Sequence, residues 1–168
     1  MMISVRDLAW HPPVGTSVEA TVEQALEALL SAGVNQLYVT DRDGMLAGVV
    51  TDYDLFKAQM TGTLERQSVA GIMSRCPACV EADEQVAAVA PMFREARYAQ
   101  MAVVDSGRLV GAISRGDVMR LMRSLEQIGL DLASGAEASS PDANNAMRGP
   151  RYIQTRKLMA EHSTDSGL

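Results

Sequence analysis

Two pairs of residues in this chain have the types and spacing to hold a polar ligand: Thr51 with Asp54, and Ser114 with Asp117. A hydroxyl three residues ahead of a carboxylate, before an apolar run, is first of all a capping box. The hydroxyl closes the helix start and the acid reaches back to it. Both pairs, however, directly follow a glycine-led apolar stretch, "GVVTDYD" and "GAISRGD". That context predicts a strand-to-helix junction. Free amides and the helix dipole favour a phosphate there, and a carboxylate can accept hydrogen bonds from the two hydroxyls of a ribose.

The second pair begins its helix badly. Arg115 at the first helical position opposes the positive end of the dipole, and Gly116 weakens the first turn. Both residues suit an anion, one by its charge and the other by letting backbone approach closely. The first copy has Asp52 and Tyr53 in their places. Aspartate supports the helix and repels phosphate. The two sites are therefore expected to differ. The Asp117 pocket should take a phosphorylated ligand, while the Asp54 pocket stays empty, takes a neutral adenosine-like group or needs a cation.

A third candidate is the "CPAC" stretch with Cys76 and Cys79. Such spacing serves redox dithiols and half zinc sites, but no helix follows to lower a thiol pKa, and His11 and His162 have no ligand spacing. Packing thiols are the expectation, with a redox or metal sensor as the alternative. No nucleophile stands beside a base, so no catalytic constellation is predicted. The methionines, Met119 and Met122 among them, read as core or interface filling.

Composition narrows the classes further. The 168 residues are 47% hydrophobic and 21% charged, with a net charge of -6, which suits a soluble globular protein. The absence of a basic block argues against a nucleic-acid surface, and no apolar run reaches membrane-spanning length. A cytoplasmic location is expected. Residues 1–66 carry 9 acids and 4 bases, whereas residues 67–126 carry 7 of each, so an anion should prefer the middle of the chain.

The elements that must position these residues occur twice. At an offset of 64, Val5 meets Val69, Leu8 meets Ile72, Val22 meets Val86 and Gln36 meets Gln100; beyond the turn the offset becomes 63, so that Gly48 meets Gly111 and Asp54 meets Asp117. Each copy shows a short strand ("TSVEA", "CVEAD") and an amphipathic helix ("ATVEQALEALLSAG", "EQVAAVAPMFREA"). A hairpin about Asp43-Gly44 or Ser106-Gly107 and a second helix complete it. The prediction is an α/β (α+β) fold of two β-α-β-β-α units, 3–66 and 67–126, packed about a pseudo-twofold axis. Residues 127–168 read as a linker and tail. "RYIQTRKLMAEH" is either a frayed end, which chain ends favour, or a short helix that docks on a partner.

Two such units, each ending in glycine, two apolar residues and [ST]-x-x-D, resemble a tandem pair of cystathionine-β-synthase (CBS) domains, a Bateman module. The resemblance spans about 3–126 and implies a regulatory, non-catalytic module with no resident cofactor. It implies two clefts for adenosine-containing ligands such as AMP, ADP, ATP, S-adenosylmethionine or NAD. Asp54 and Asp117 would hold the ribose, with Thr51 and Ser114 near ribose and phosphate. It further implies that each pocket borrows the other repeat's opening strand, so that Thr16 faces the Asp117 pocket and Val80 the Asp54 pocket. Asn35, Gln36, Ala99 and Gln100 would line the clefts. Tyr38 and Ala102 stand where the family often has proline, and Gln36 and Gln100 replace the basic or histidine residues that grip phosphates in some members. A flat homodimer and an unknown protein partner are also implied. The reading against it is a ligand-free dimerisation scaffold, with both motifs acting only as helix caps.

Overall fold

The computed structural model describes residues 2–8, 11–62, 64, 67–75, 77–94, 98–130, 132 and 151–152. The first repeat runs β1 (Gly15–Ser17), α1 (Val22–Ala32), β2 (Gln36–Thr40), β3 (Leu46–Thr51) and α2 (Asp52–Met60). The second runs β4 (Ala78–Glu81), α3 (Val86–Val89), β5 (Gln100–Asp105), β6 (Arg108–Ser114) and α4 (Arg115–Gln127), and Arg151–Tyr152 adds β7. The strands form two sheets, ordered β1-β2-β3 and β6-β5-β4-β7. In each the opening strand pairs parallel to its neighbour and the hairpin pairs antiparallel. This is the predicted mixed fold of two β-α-β-β-α units.

Local chemistry accounts for the boundaries. Thr21 caps α1 by accepting from the Gln24 amide, and Gly33 ends it at a φ of 63°. The matching helix in the second repeat is shorter than its apolar spacing predicts. Pro91 has no N–H to donate and crowds the preceding turn, so α3 stops after four residues and continues as a 3-10 turn, Ala90–Arg94. The change of offset also has a physical origin. Ser106 and Gly107, at φ 53° and 82°, make a two-residue turn joining Asp105 to Arg108, whereas the first hairpin closes with the Asp41 amide bonded to the Met45 carbonyl around one residue more.

The repeats exchange their lead-in segments. The 3-10 turn Val5–Asp7 docks on the second repeat, with the Val5 amide on the Glu84 carbonyl at 2.9 Å and the Arg6 amide on the Ala82 carbonyl at 2.7 Å. Val5 and Leu8 bury in a core with Val86, Val103 and Ile113. Reciprocally, the Val69 amide bonds to the Ala20 carbonyl, and Val69 buries beside Val22, Val39 and Leu55. The exchanged piece is the turn ahead of each opening strand, while β1 and β4 each pair within their own sheet. Val80 is the residue expected to face the Asp54 pocket. It is 1% exposed within the second repeat's core, because alternation along β4 turns Cys79 toward the other repeat and Val80 inward.

A third cluster joins the repeats through Tyr38, Leu46, Cys79, Ala102, Val104 and Ala112. The hairpin tips add backbone bonds from the Leu46 amide to the Gly107 carbonyl and from the Leu109 amide to the Gly44 carbonyl. β7 lies antiparallel on β4, with Ala78 opposite Tyr152. Arg151 and Tyr152 are therefore strand where a terminal helix was weighed, and the remainder of that segment lies outside the described residues. Among the described residues no helix is long and apolar enough to cross a membrane.

Candidate functional site

Both hydroxyl–carboxylate pairs stand at strand-to-helix junctions and close full capping boxes. In the first, Asp54 Oδ2 accepts from the Thr51 amide at 3.0 Å and the Thr51 hydroxyl at 2.7 Å. In the second, Asp117 Oδ2 accepts from the Ser114 amide at 2.7 Å and the Ser114 hydroxyl at 2.6 Å. One carboxylate oxygen of each aspartate is thereby committed to the cap. The other oxygen distinguishes the sites.

Among the described residues Asp54 Oδ1 has no hydrogen-bond partner, and Asp54 is half-buried. Asp117 is 4% exposed, and its Oδ1 is held by Arg120 of the next helical turn and by His11 Nε2 at 3.3 Å. Burial pushes the Asp117 carboxyl up. The Ser114 hydroxyl and amide, Arg120 and His11 outweigh it and leave the group below the ordinary carboxylate range. His11 reaches the site because the chain before β1 crosses β6, exchanging amide–carbonyl bonds with Ala112 at 3.2 and 3.1 Å. The same crossing recurs in the first repeat, where Ser74 pairs with Val49. Ser74 thus takes the place of His11, and Lys57 the place of Arg120.

The helix amides differ as well. In α2 the Asp52 amide donates to the Asn35 carbonyl, the Tyr53 amide to Asp52 Oδ1 at 2.8 Å and the Asp54 amide to the Thr51 hydroxyl. In α4 the Arg115 amide donates to the Ala99 carbonyl and the Asp117 amide to the Ser114 hydroxyl. Asp52 therefore supplies an acceptor at the first helix start that Arg115 does not supply at the second.

Several residues take other roles than expected. The Arg115 guanidinium donates to the Phe93 and Tyr98 carbonyls, both at 3.0 Å, which ties α4 to the end of the 3-10 turn and the approach to β5. The Arg115 charge expected to serve an anion thus has two carbonyl partners within the fold. Gln36 and Gln100, expected to line the clefts, both hydrogen-bond the Tyr38 hydroxyl, Gln36 Nε2 at 3.1 Å. Tyr38 is 2% exposed, and burial pushes its pKa up to about 12 against those two bonds. Thr16 is half-buried in mid-β1 opposite Val39. Cys79 is buried between the repeats, whereas Cys76 lies outside the described residues.

Arg120 was not singled out from sequence, His11 was weighed only as a metal ligand, and Tyr38 was noted only as standing where the family often has proline. Arg120 was legible as an i, i+3 partner of Asp117 on one helix face. His11 was not, since nothing local ties it to a helix that begins more than a hundred residues later.

Residues 5–61 and 69–124 each match the family model of the CBS domain. A CBS domain-containing protein of Dictyostelium discoideum is 28% identical over 134 residues, covering 73% of this chain and 92% of that protein. Among solved structures, CBSX2 in complex with AMP superposes with a TM-score of 0.62 at 27% identity, covering 73% of this chain and 98% of the other. A CBS domain pair in complex with 5′-methylthioadenosine and S-adenosylmethionine gives 0.59 at 26% identity, covering 74% and 98%.

Proposed function

The chain belongs to the CBS domain family, and on that premise we propose that it is a regulatory module that binds an adenosine-containing ligand at its two hydroxyl–carboxylate junctions and carries out no chemistry itself. One observation carries the reading. Both repeats spend a single carboxylate oxygen on the helix cap and aim the same aspartate at the same strand-to-helix junction. A capping box needs only that one oxygen, so a second acceptor is left over in each copy, and at Asp54 it has no hydrogen-bond partner among the described residues. Such an acceptor suits the vicinal hydroxyls of a ribose. The AMP, methylthioadenosine and S-adenosylmethionine bound by the structural relatives support the same ligand class.

The module works in this reading as a cytoplasmic homodimer that passes ligand occupancy to a protein partner. Exposed apolar side chains on one face of α1 and α2, Leu30, Tyr53, Phe56 and Met60, support a dimer. The scaffold reading keeps one specific support, namely that each hydroxyl–carboxylate pair closes a full capping box.

A thermal-shift panel of AMP, ADP, ATP, S-adenosylmethionine, NADH and adenosine decides between them. A ligand at a hundred times its Kd adds about 2.7 kcal/mol, a rise of roughly 5–10 °C. A rise lost in the Asp54→Asn and Asp117→Asn variants supports the module. No rise with any compound leaves the scaffold.

A further inference from the structure

The asymmetry at the second carboxylate oxygen has a consequence for ligand choice. A ribose diol needs an acceptor, and the capping box has already taken Oδ2 of both aspartates. At Asp54 the remaining oxygen has no hydrogen-bond partner among the described residues. At Asp117 two side chains stand on it, the Arg120 guanidinium from within α4 and the His11 imidazole from the crossing segment ahead of β1. A neutral nucleoside entering there must displace both and leave the guanidinium without its counter-charge beside a buried carboxylate. A nucleoside carrying a phosphate brings a replacement anion for the groups it displaces.

Both side chains are free to make that exchange. Their exposures are 65% for His11 and 69% for Arg120, whereas Asp117 itself is 3% exposed at the side chain and fixed by the cap. Gly116 has no side chain to crowd the Arg120 guanidinium, and a Cβ built there would lie 3.6 Å from it. Arg115 cannot substitute for either side chain, its guanidinium being held by the Phe93 and Tyr98 carbonyls. In the first repeat the equivalent residues are Ser74 and Lys57, and among the described residues Asp54 has its side-chain hydrogen bonds with Thr51 and with neither of these two.

Resting on the adenosine-ligand reading above, we infer that His11 and Arg120 are specificity-determining residues: as displaceable partners of Asp117 they reserve the second cleft for phosphorylated adenosine ligands and exclude neutral nucleosides, while the first cleft has no such filter. On binding, the ribose hydroxyls take over Asp117 Oδ1, and the guanidinium and the imidazole move onto the phosphate. The exchange is electrostatic, so the preference weakens as salt rises.

The test is titration calorimetry of the full chain with AMP and with adenosine, in an Asp54→Asn background that silences the first cleft. His11→Ala and Arg120→Ala are compared with that background, and Lys57→Ala serves as the matched control. The expected result is opposite movement of the two compounds. AMP weakens about tenfold in each variant, and adenosine holds its affinity or gains. His11→Ala removes an exposed side chain and keeps the question open to measurement even if Arg120→Ala unfolds the chain. Equal factors for AMP and adenosine, or no change in either, overturn the inference and leave the adenosine site standing. Failure of both compounds to bind the wild-type chain removes the site and the inference with it.

Discussion

The Arg115 side chain donates through Nε to the Phe93 carbonyl at 3.0 Å, joining the first residue of α4 to the last turn before β5. A second donor of the same guanidinium reaches the Tyr98 carbonyl. An arginine at the first position of a helix is electrostatically misplaced. Here its planar fork satisfies two carbonyls that a shorter residue could not reach, which offsets the unfavourable dipole.

Arg115→Ala is accordingly a stability variant. Hydrogen bonds from a charged donor are worth about 1.5–3 kcal/mol each at most, and partial solvation lowers the total, so a loss of about 2 kcal/mol in urea unfolding is expected. Affinities for AMP and adenosine should fall together, if at all. Selective loss of AMP would return Arg115 to the ligand.

Asp117 and Asp54 should respond unequally to Asn. Asp54→Asn weakens a cap and costs about 1 kcal/mol. Asp117→Asn weakens a cap and also strips Arg120 of a buried counter-charge, for about 2–3 kcal/mol. The Asp117 carboxyl lies below its ordinary value of 3.8 in the folded chain. Its contribution is therefore complete above that value and is lost as pH falls through the lower folded one. Melts between pH 2 and 5 should fall more steeply for wild type than for Asp117→Asn.

Tyr38 titrates in the opposite sense. Its folded pKa of about 12 exceeds the ordinary 10. From pH 10 to 12 the unfolded chain releases this proton and the folded chain keeps it, so stability falls with rising pH, by of the order of 2 kcal/mol in all. Tyr38→Phe removes that slope. It also deprives Gln36 and Gln100 of their shared hydroxyl, at about 1 kcal/mol near neutral pH.

Gly48 admits the segment that crosses β3. A Cβ there would stand 2.6 Å from the Ser74 carbonyl oxygen and 2.8 Å from the Met73 sulfur. The carbonyl belongs to the residue that pairs with Val49, so it cannot move without breaking that bridge. Gly48→Ala should cost about 1–3 kcal/mol, read as a lowered Tm.

Most of the architecture was legible because it is local and written twice. The strand and helix periods, the two capping boxes and even the lost residue in the second hairpin follow from residues within a few positions of one another, and the 64-residue offset shows that one unit is repeated. The motif aspartates were found for the same reason. Pro91 was visible too, and its rule against helix interiors outweighed the apolar spacing around it.

What the chain order could not carry was contact between distant segments. The exchange of lead-in turns depends on which core each turn meets, and the burial of Val80 in the second repeat's interior depends on the register of β4. Arg115 was read as a charge for a ligand because its carbonyl partners lie in another element. The local residues by themselves determined where two carboxylates would be offered. Only the tertiary structure decided which of them is open, because His11 and Ser74 arrive at equivalent places by crossing β6 and β3, and one side chain reaches a carboxylate where the other does not.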